Sequence, residues 1–110
     1  METLAATSVL ARFGYALSDA TRAQVLLALR EAPAYPGDLA LAAGVSKQSL
    51  SNHLACLRGC GLVVAVPEGR RMRYELADPR LGDALTALLG VVAVAKAGCA
   101  CGSGAVDGCC

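Results

Sequence analysis

The stretch SNHLACLRGCGLV, residues 51–63, places two cysteines four positions apart, Cys56 and Cys60. The other four thiols lie in CACGSGAVDGCC at the C-terminus: Cys99 and Cys101 as a C-x-C, then Cys109 and Cys110 side by side. On a helix, residues i and i+4 project the same way from successive turns, so both sulfurs of the first pair can reach one ion. Thiolates are soft ligands that select Cd(II), Pb(II), Zn(II), Cu(I) or As(III). Two thiolates leave such an ion under-coordinated. Cys99 and Cys101, on a mobile segment, can supply one or two more sulfurs, and the vicinal pair Cys109-Cys110 suits As(III). The blander alternatives are a small buried hydrophobe for Cys56 and a redox pair or scavenging end for the tail.

Other chemistry finds little support. There is no Cys/His pair with an orienting acid and no Gly-rich phosphate loop, and Asp78 and Asp83 have no evident acid–base partner, so the chain does not read as an enzyme. The N-terminal METLAATSVLARFGYALSD lacks the basic and apolar regions of a secretory signal. ALTALLGVVAVAKAG is too short to span a bilayer. The expectation is a cytoplasmic protein, where thiols stay reduced and six cysteines speak for metal or redox chemistry rather than structural disulfides.

The thiols need elements to hold them. Leu4, Leu10, Phe13 and Leu17 recur at helical spacing over residues 3–16. LSDATRAQVLLALREAP opens with Ser18 or Asp19 as N-cap and stops before Pro33. Pro36 starts a short helix through about Ala43, Gly44 ends it, and Ser46 caps another that runs to about Gly59 or Cys60. Two helices joined by a tight Gly-containing turn are a helix-turn-helix. Val63, Val64 and Val66 then form a β-rich run, Pro67-Glu68-Gly69-Arg70 a turn, and Met72 to Leu76 a return strand. Asp78 caps a last helix with Pro79 in its first turn and Gly98 as its stop. This order predicts a winged helix-turn-helix domain, mainly α with a small β-hairpin, over residues 1–97. Residues 98–110 read as a Cys-rich tail, flexible until its thiols are bound. With 110 residues, 55% of them hydrophobic, the chain also invites a homodimer.

Charge points to a partner. Between Ser46 and Arg73 lie five basic residues and one acid, a balance of +4, against −3 for the remainder. That is the footprint expected where phosphates dock. On a helical wheel of residues 46–60, Leu50, Leu54 and Leu57 form an inward face. Lys47, Gln48, Ser51, Ala55 and Arg58 share the opposite arc, and Cys56, Cys60 and Ser49 a third. Short polar side chains with an Arg and a Lys suit the major groove of double-stranded operator DNA. Ser49, Asn52 and His53 complete the candidate set on this helix, His53 as a helix-packing or phosphate-contacting group. Arg70, Arg71 and Arg73 would lie on the flanking backbone or minor groove. No membrane or small-molecule substrate is expected.

The residues LSDATRAQVLLALREAPAYPGDLALAAGVSKQSLSNHLACLRGCGLVVAVPEGRRMRYEL resemble the ArsR/SmtB family of metal-responsive repressors, the likeness running over about residues 4–97. The resemblance implies a homodimer joined through the first and last helices, here Leu4–Tyr15 and Leu81–Ala95, whose metal-free form holds an operator and whose metal-bound form releases it. CLRGC is similar to the cadmium- and lead-sensing branch, in which cysteines of the reading helix bind metal with a cysteine from the partner's C-terminal region. That likeness makes Cys56 and Cys60 ligands and Cys101 the third, with Cys99 its competitor. Cys109-Cys110 has no counterpart. Other branches place a Cys-x-Cys where this chain has YPGDLA, or use Asp and His on the last helix, where this chain has no histidine. An As(III) or Zn(II) sensor, or a thiol-redox-switched regulator, stays open.

Overall fold

The computed structural model describes residues 3–95. Helices α1 (Thr3–Leu17), α2 (Ala20–Glu31), α3 (Pro36–Ala43) and α4 (Lys47–Gly59) are followed by strands β1 (Val63–Glu68) and β2 (Arg71–Leu76) and helix α5 (Pro79–Ala95). The winged helix-turn-helix order is the one expected. The expected stop at Gly98, the boundary at 97/98 and Cys99, Cys101, Cys109 and Cys110 lie outside the described residues.

Local chemistry explains where the helices begin and end. Asp19 is the α2 N-cap, its Oδ2 accepting from Arg22 N–H at 3.0 Å. Ser46 caps α4, its Oγ accepting from Ser49 N–H at 3.1 Å. Each satisfies a backbone donor that the first helical turn leaves without a partner. Helices α3 and α4 both finish on a left-handed glycine. After α3, Val45 N–H bonds Ala40 O at 3.1 Å and Gly44 N–H bonds Leu41 O at 3.3 Å. After α4, Leu62 N–H bonds Leu57 O and Gly61 N–H bonds Arg58 O, both at 3.0 Å. These paired bonds are the Schellman closure, which needs the positive φ found at Gly44 (70°) and Gly61 (78°). The second closure fixes Cys60 at the junction of α4 with the hairpin.

The hairpin differs from expectation at its turn. Pro67 and Glu68 belong to β1, opposite Met72 and Arg71, so the loop is only Gly69-Arg70. Positive φ at Gly69 (63°), the first loop residue, allows so tight a reversal. Pro67 is tolerated because a two-stranded sheet consists only of edges. Ala34 adds an antiparallel bridge to Tyr74, with N–H···O bonds of 3.0 and 2.8 Å.

One core seats these elements. Ala16, Val25, Leu26, Leu29, Leu39, Ala40, Leu50, Leu54, Leu57, Val63 and Leu85 are all buried, and no polar side chain is fully buried with them among the described residues. The leucine face of α4 is the one the wheel assigned. In contrast, Val9 and Leu10 on α1 and Leu88, Leu89 and Val91 on α5 stay exposed, an apolar surface shared by the first and last helices.

Candidate nucleic-acid interface and thiol site

With its leucines inward, α4 turns Lys47, Gln48, Ser51, Asn52 and Arg58 to solvent, while Ser49 and His53 are half-buried. Gln48 Nε2 donates to Asn52 Oδ1 at 3.2 Å, one turn along. The pair presents a donor–acceptor edge of the kind that reads a base. Lys47, near one end of the helix, and Arg58, near the other, bracket this edge with positive charge.

The three wing arginines occupy different situations. Arg70 stands exposed in the two-residue loop. The Arg71 guanidinium lies 3.4 Å from the Tyr35 ring centroid. Arg73 is half-buried, its Nη1 2.7 Å from Glu68 Oε2. Tyr35 donates its hydroxyl to the other Glu68 oxygen. Tyr35 and Glu68 carried no functional expectation from sequence. Their meeting depends on the Ala34–Tyr74 bridge, which joins segments far apart in the chain.

His53 points at the start of α2. Its Nε2 lies 3.7 Å from Asp19 Oδ2 and its Nδ1 3.5 Å from Arg22 Nη1. Both ring nitrogens therefore face polar groups at the start of α2. Arg22 also bonds Ala16 O and Tyr15 O, both at 3.0 Å, and stacks on the Tyr15 ring at 5.0 Å. It therefore satisfies carbonyls at the end of α1 while touching α4. The N-cap bond from Arg22 N–H holds the Asp19 carboxyl below its usual range, and the His53 and Arg22 side chains act in the same direction. Of the two roles open to His53, the helix-packing one is the contact seen. Arg22 was missed because its partners are backbone carbonyls, which no side-chain pattern announces.

Cys56 and Cys60 are free, half-buried thiols. Burial pushes the Cys60 thiol up, and the adjoining Cys56, which hydrogen-bonds it, adds to the rise; Arg12 and Arg22 pull the other way. The two sulfurs are thus neighbours. Cys60 lines an apolar groove of about 320 Å³ walled by Val9, Leu10 and Phe13 of α1 and Leu81 and Ala84 of α5. This groove borders the first and last helices and contains none of the polar α4 side chains; Cys56 lies one turn beyond Asn52, so the thiols follow the Gln48–Asn52 pair along the helix. As donors the pair suits a soft cation but completes no site. Among the described residues, no three or more His, Cys, Asp or Glu gather as metal ligands would. Of the four candidates, the structure brings together Cys56 and Cys60; Cys99 and Cys101 lie outside the described residues.

Comparison with known proteins agrees with this layout. Residues 19–64 match the model for bacterial regulatory proteins of the arsR family. The HTH-type transcriptional regulator CmtR of Mycobacterium tuberculosis H37Rv is 55% identical over 85 residues, covering 77% of this chain and 72% of that protein. The NMR structure of the cadmium metal-sensor CMTR from Mycobacterium tuberculosis superposes with a TM-score of 0.65 at 55% identity, covering 74% of this chain and 85% of that one. A homodimeric winged helix-turn-helix DNA-binding domain from Mycobacterium bovis, Mb0332, gives 0.74 at 33% identity, covering 82% of both chains. A capped helix-turn-helix, a wing and more than half of the aligned residues shared with such a regulator leave one conclusion: this chain belongs to the ArsR family of bacterial transcriptional regulators, and it is not an enzyme.

Proposed function

We propose that this chain is a cytoplasmic, homodimeric, metal-responsive repressor. Its metal-free form grips operator DNA, and capture of a thiophilic cation, Cd(II) or Pb(II), by cysteine thiolates loosens that grip. The observation that carries the reading is the adjacency of Cys56 and Cys60 at the far end of α4, with Cys60 in an apolar groove that holds none of that helix's polar side chains. The likeness to a cadmium sensor supports the choice of ion.

In this reading Gln48, Asn52 and Ser51 meet base edges, while Lys47, Ser49, Arg58, Arg70 and Arg71 serve phosphates, and Arg73, paired with Glu68, stands beside them on the wing. His53 supports them by tying α4 to the N-cap of α2. Cys56 and Cys60 hold the cation together with a tail thiolate, Cys101 or Cys99, and residues 98–110 act as the segment that delivers it. A bound ion supplies a cross-link, its two positive charges offset by the protons that the ligand thiols release. Leu50, Leu54 and Leu57 seat α4 without play, so a change imposed at Cys60 reaches the reading edge as a rigid-body shift rather than a local bend. The exposed apolar residues of α1 and α5 form the dimer face, and the groove containing Cys60 opens on their border. Reading helices paired by a two-fold axis enter successive major grooves about one turn apart. Linkage then requires DNA to weaken metal binding by the same factor as metal weakens DNA binding.

The test is one titration. Metal-free protein on a duplex from its own promoter region receives Cd(II), Pb(II), Zn(II) or As(III), with thiolate charge-transfer absorption and DNA release followed together. Cys56→Ser is expected to keep metal-free DNA binding and lose metal-induced release. Loss of metal-free binding as well would make Cys56 structural. Release by diamide in the presence of chelator would transfer the trigger to disulfide formation.

A further inference from the structure

The wing carries one carboxylate among its basic residues near the tip, and the fold has brought that carboxylate a partner. Strand alternation puts Val64, Val66 and Glu68 on one face of the hairpin, opposite Glu75, Arg73 and Arg71. The other face, with Val63, Tyr74 and Leu76, packs on the core. Ala34 pairs with Tyr74, and its neighbour Tyr35 meets the outer face. Four side chains gather there. Arg73 Nη1 is 2.7 Å from Glu68 Oε2, Tyr35 donates to the second Glu68 oxygen, and Arg71 stacks on the Tyr35 ring. Arg73 Nε is buried without a hydrogen-bond partner, so the guanidinium is drawn inward by one nitrogen and left short at another. Arg70 takes part in none of these contacts.

We infer that Glu68 sets the wing's affinity for nucleic acid by withholding Arg73 from phosphate, with Tyr35 as the positioning residue that keeps Glu68 turned toward it. Arg70 and Arg71 are then the operative cations of the wing, and Arg73 is a masked one. The inference rests on the reading in which the wing touches the DNA backbone. Each phosphate neutralised adds about 0.9 to the slope of log K against log salt. Removing the charge at position 68 frees one guanidinium, so the slope steepens by about that amount. If the non-electrostatic part of binding is unchanged, this makes binding about eightfold tighter near 0.1 M salt.

Fluorescence anisotropy with a mixed-sequence duplex of about 30 base pairs, over a series of NaCl concentrations, reads both quantities. Glu68→Gln is expected to bind more tightly with the steeper slope, Arg73→Gln alone to stay within about twofold of the parent, and the double variant to return to the parent slope. Tyr35→Phe keeps the ring under Arg71 but removes the hydroxyl. It should move the slope in the same direction by less, and it tests the idea even if the first variant folds poorly. An unchanged or shallower slope in Glu68→Gln overturns the inference, as does a full unit of slope lost in Arg73→Gln alone. A parent chain showing no salt-dependent duplex binding would instead overturn the DNA-binding reading, and this inference with it.

Discussion

Cys60 offers the sharpest check on the proposed site, because a thiol must surrender its proton to bind a metal ion. Burial and the neighbouring Cys56 raise its pKa above the ordinary value near 9. Throughout the range from pH 6 to pH 8 the free thiol is therefore protonated. The cost of removing that proton falls by about 1.36 kcal/mol for each unit of rising pH. Cys60 alone then contributes about a tenfold gain in Cd(II) affinity per pH unit, or about 2.7 kcal/mol across the two units. Other ligand thiols add their own slopes, so the total does not isolate Cys60; the difference between parent and Cys60→Ser does. Cd(II) competition against a chelator of known pH dependence, followed by thiolate absorption, should show log K against pH shallower by about one in Cys60→Ser. Equal slopes in the two proteins would mean that Cys60 keeps its proton when metal binds, and the half-site on α4 would be wrong.

Other consequences can be checked separately. Gln48→Ala removes one member of the base-reading edge, so discrimination among duplex sequences should weaken by about 1–3 kcal/mol while the salt slope stays unchanged; a lost slope with intact sequence preference would reassign Gln48 to the backbone. Leu54→Ala empties a position that is only 2% exposed, and denaturant unfolding should report a loss of about 2–5 kcal/mol, with less than 1 kcal/mol meaning that α4 is seated more loosely than its packing implies. Asp78, held by the Arg80 side chain and backbone N–H, has its carboxyl lowered to about 2 from 3.8. A depressed carboxyl stabilises the fold above its unfolded value and loses that contribution as pH falls through the interval from about 4 to 2. Asp78→Asn should flatten acid unfolding in that interval, and an unaltered acid limb would show that the Arg80 contact does not persist in solution.

Much of the fold can be read along the chain because its determinants are local. The Asp19 and Ser46 caps, the glycine closing α3 and the leucine face of α4 each depend on residues within about two helical turns of one another. The β-rich run of Val63, Val64 and Val66 identifies the hairpin, but reading Pro67-Glu68-Gly69-Arg70 as its turn starts that turn two residues early. Proline argues against a strand interior, and only the exposed edge of a two-stranded sheet makes Pro67 acceptable there. The same locality makes the thiol pair legible, since four residues are one turn of helix and a chelating distance in sequence is one in space.

By itself, then, the chain determines the helix-turn-helix, which face of its second helix turns inward, and that two thiols share that helix's far end, for these follow from helical period and side-chain type. Only the tertiary structure decides what those residues meet. It places Cys60 in a groove between the first and last helices, sets His53 against Asp19 and Arg22, and brings Tyr35 across to Glu68 and Arg71. Such contacts join segments separated by about twenty residues or more, and no sequence period reports them. They exist because one buried core fixes every element at once, which turns separate local preferences into a single arrangement in space.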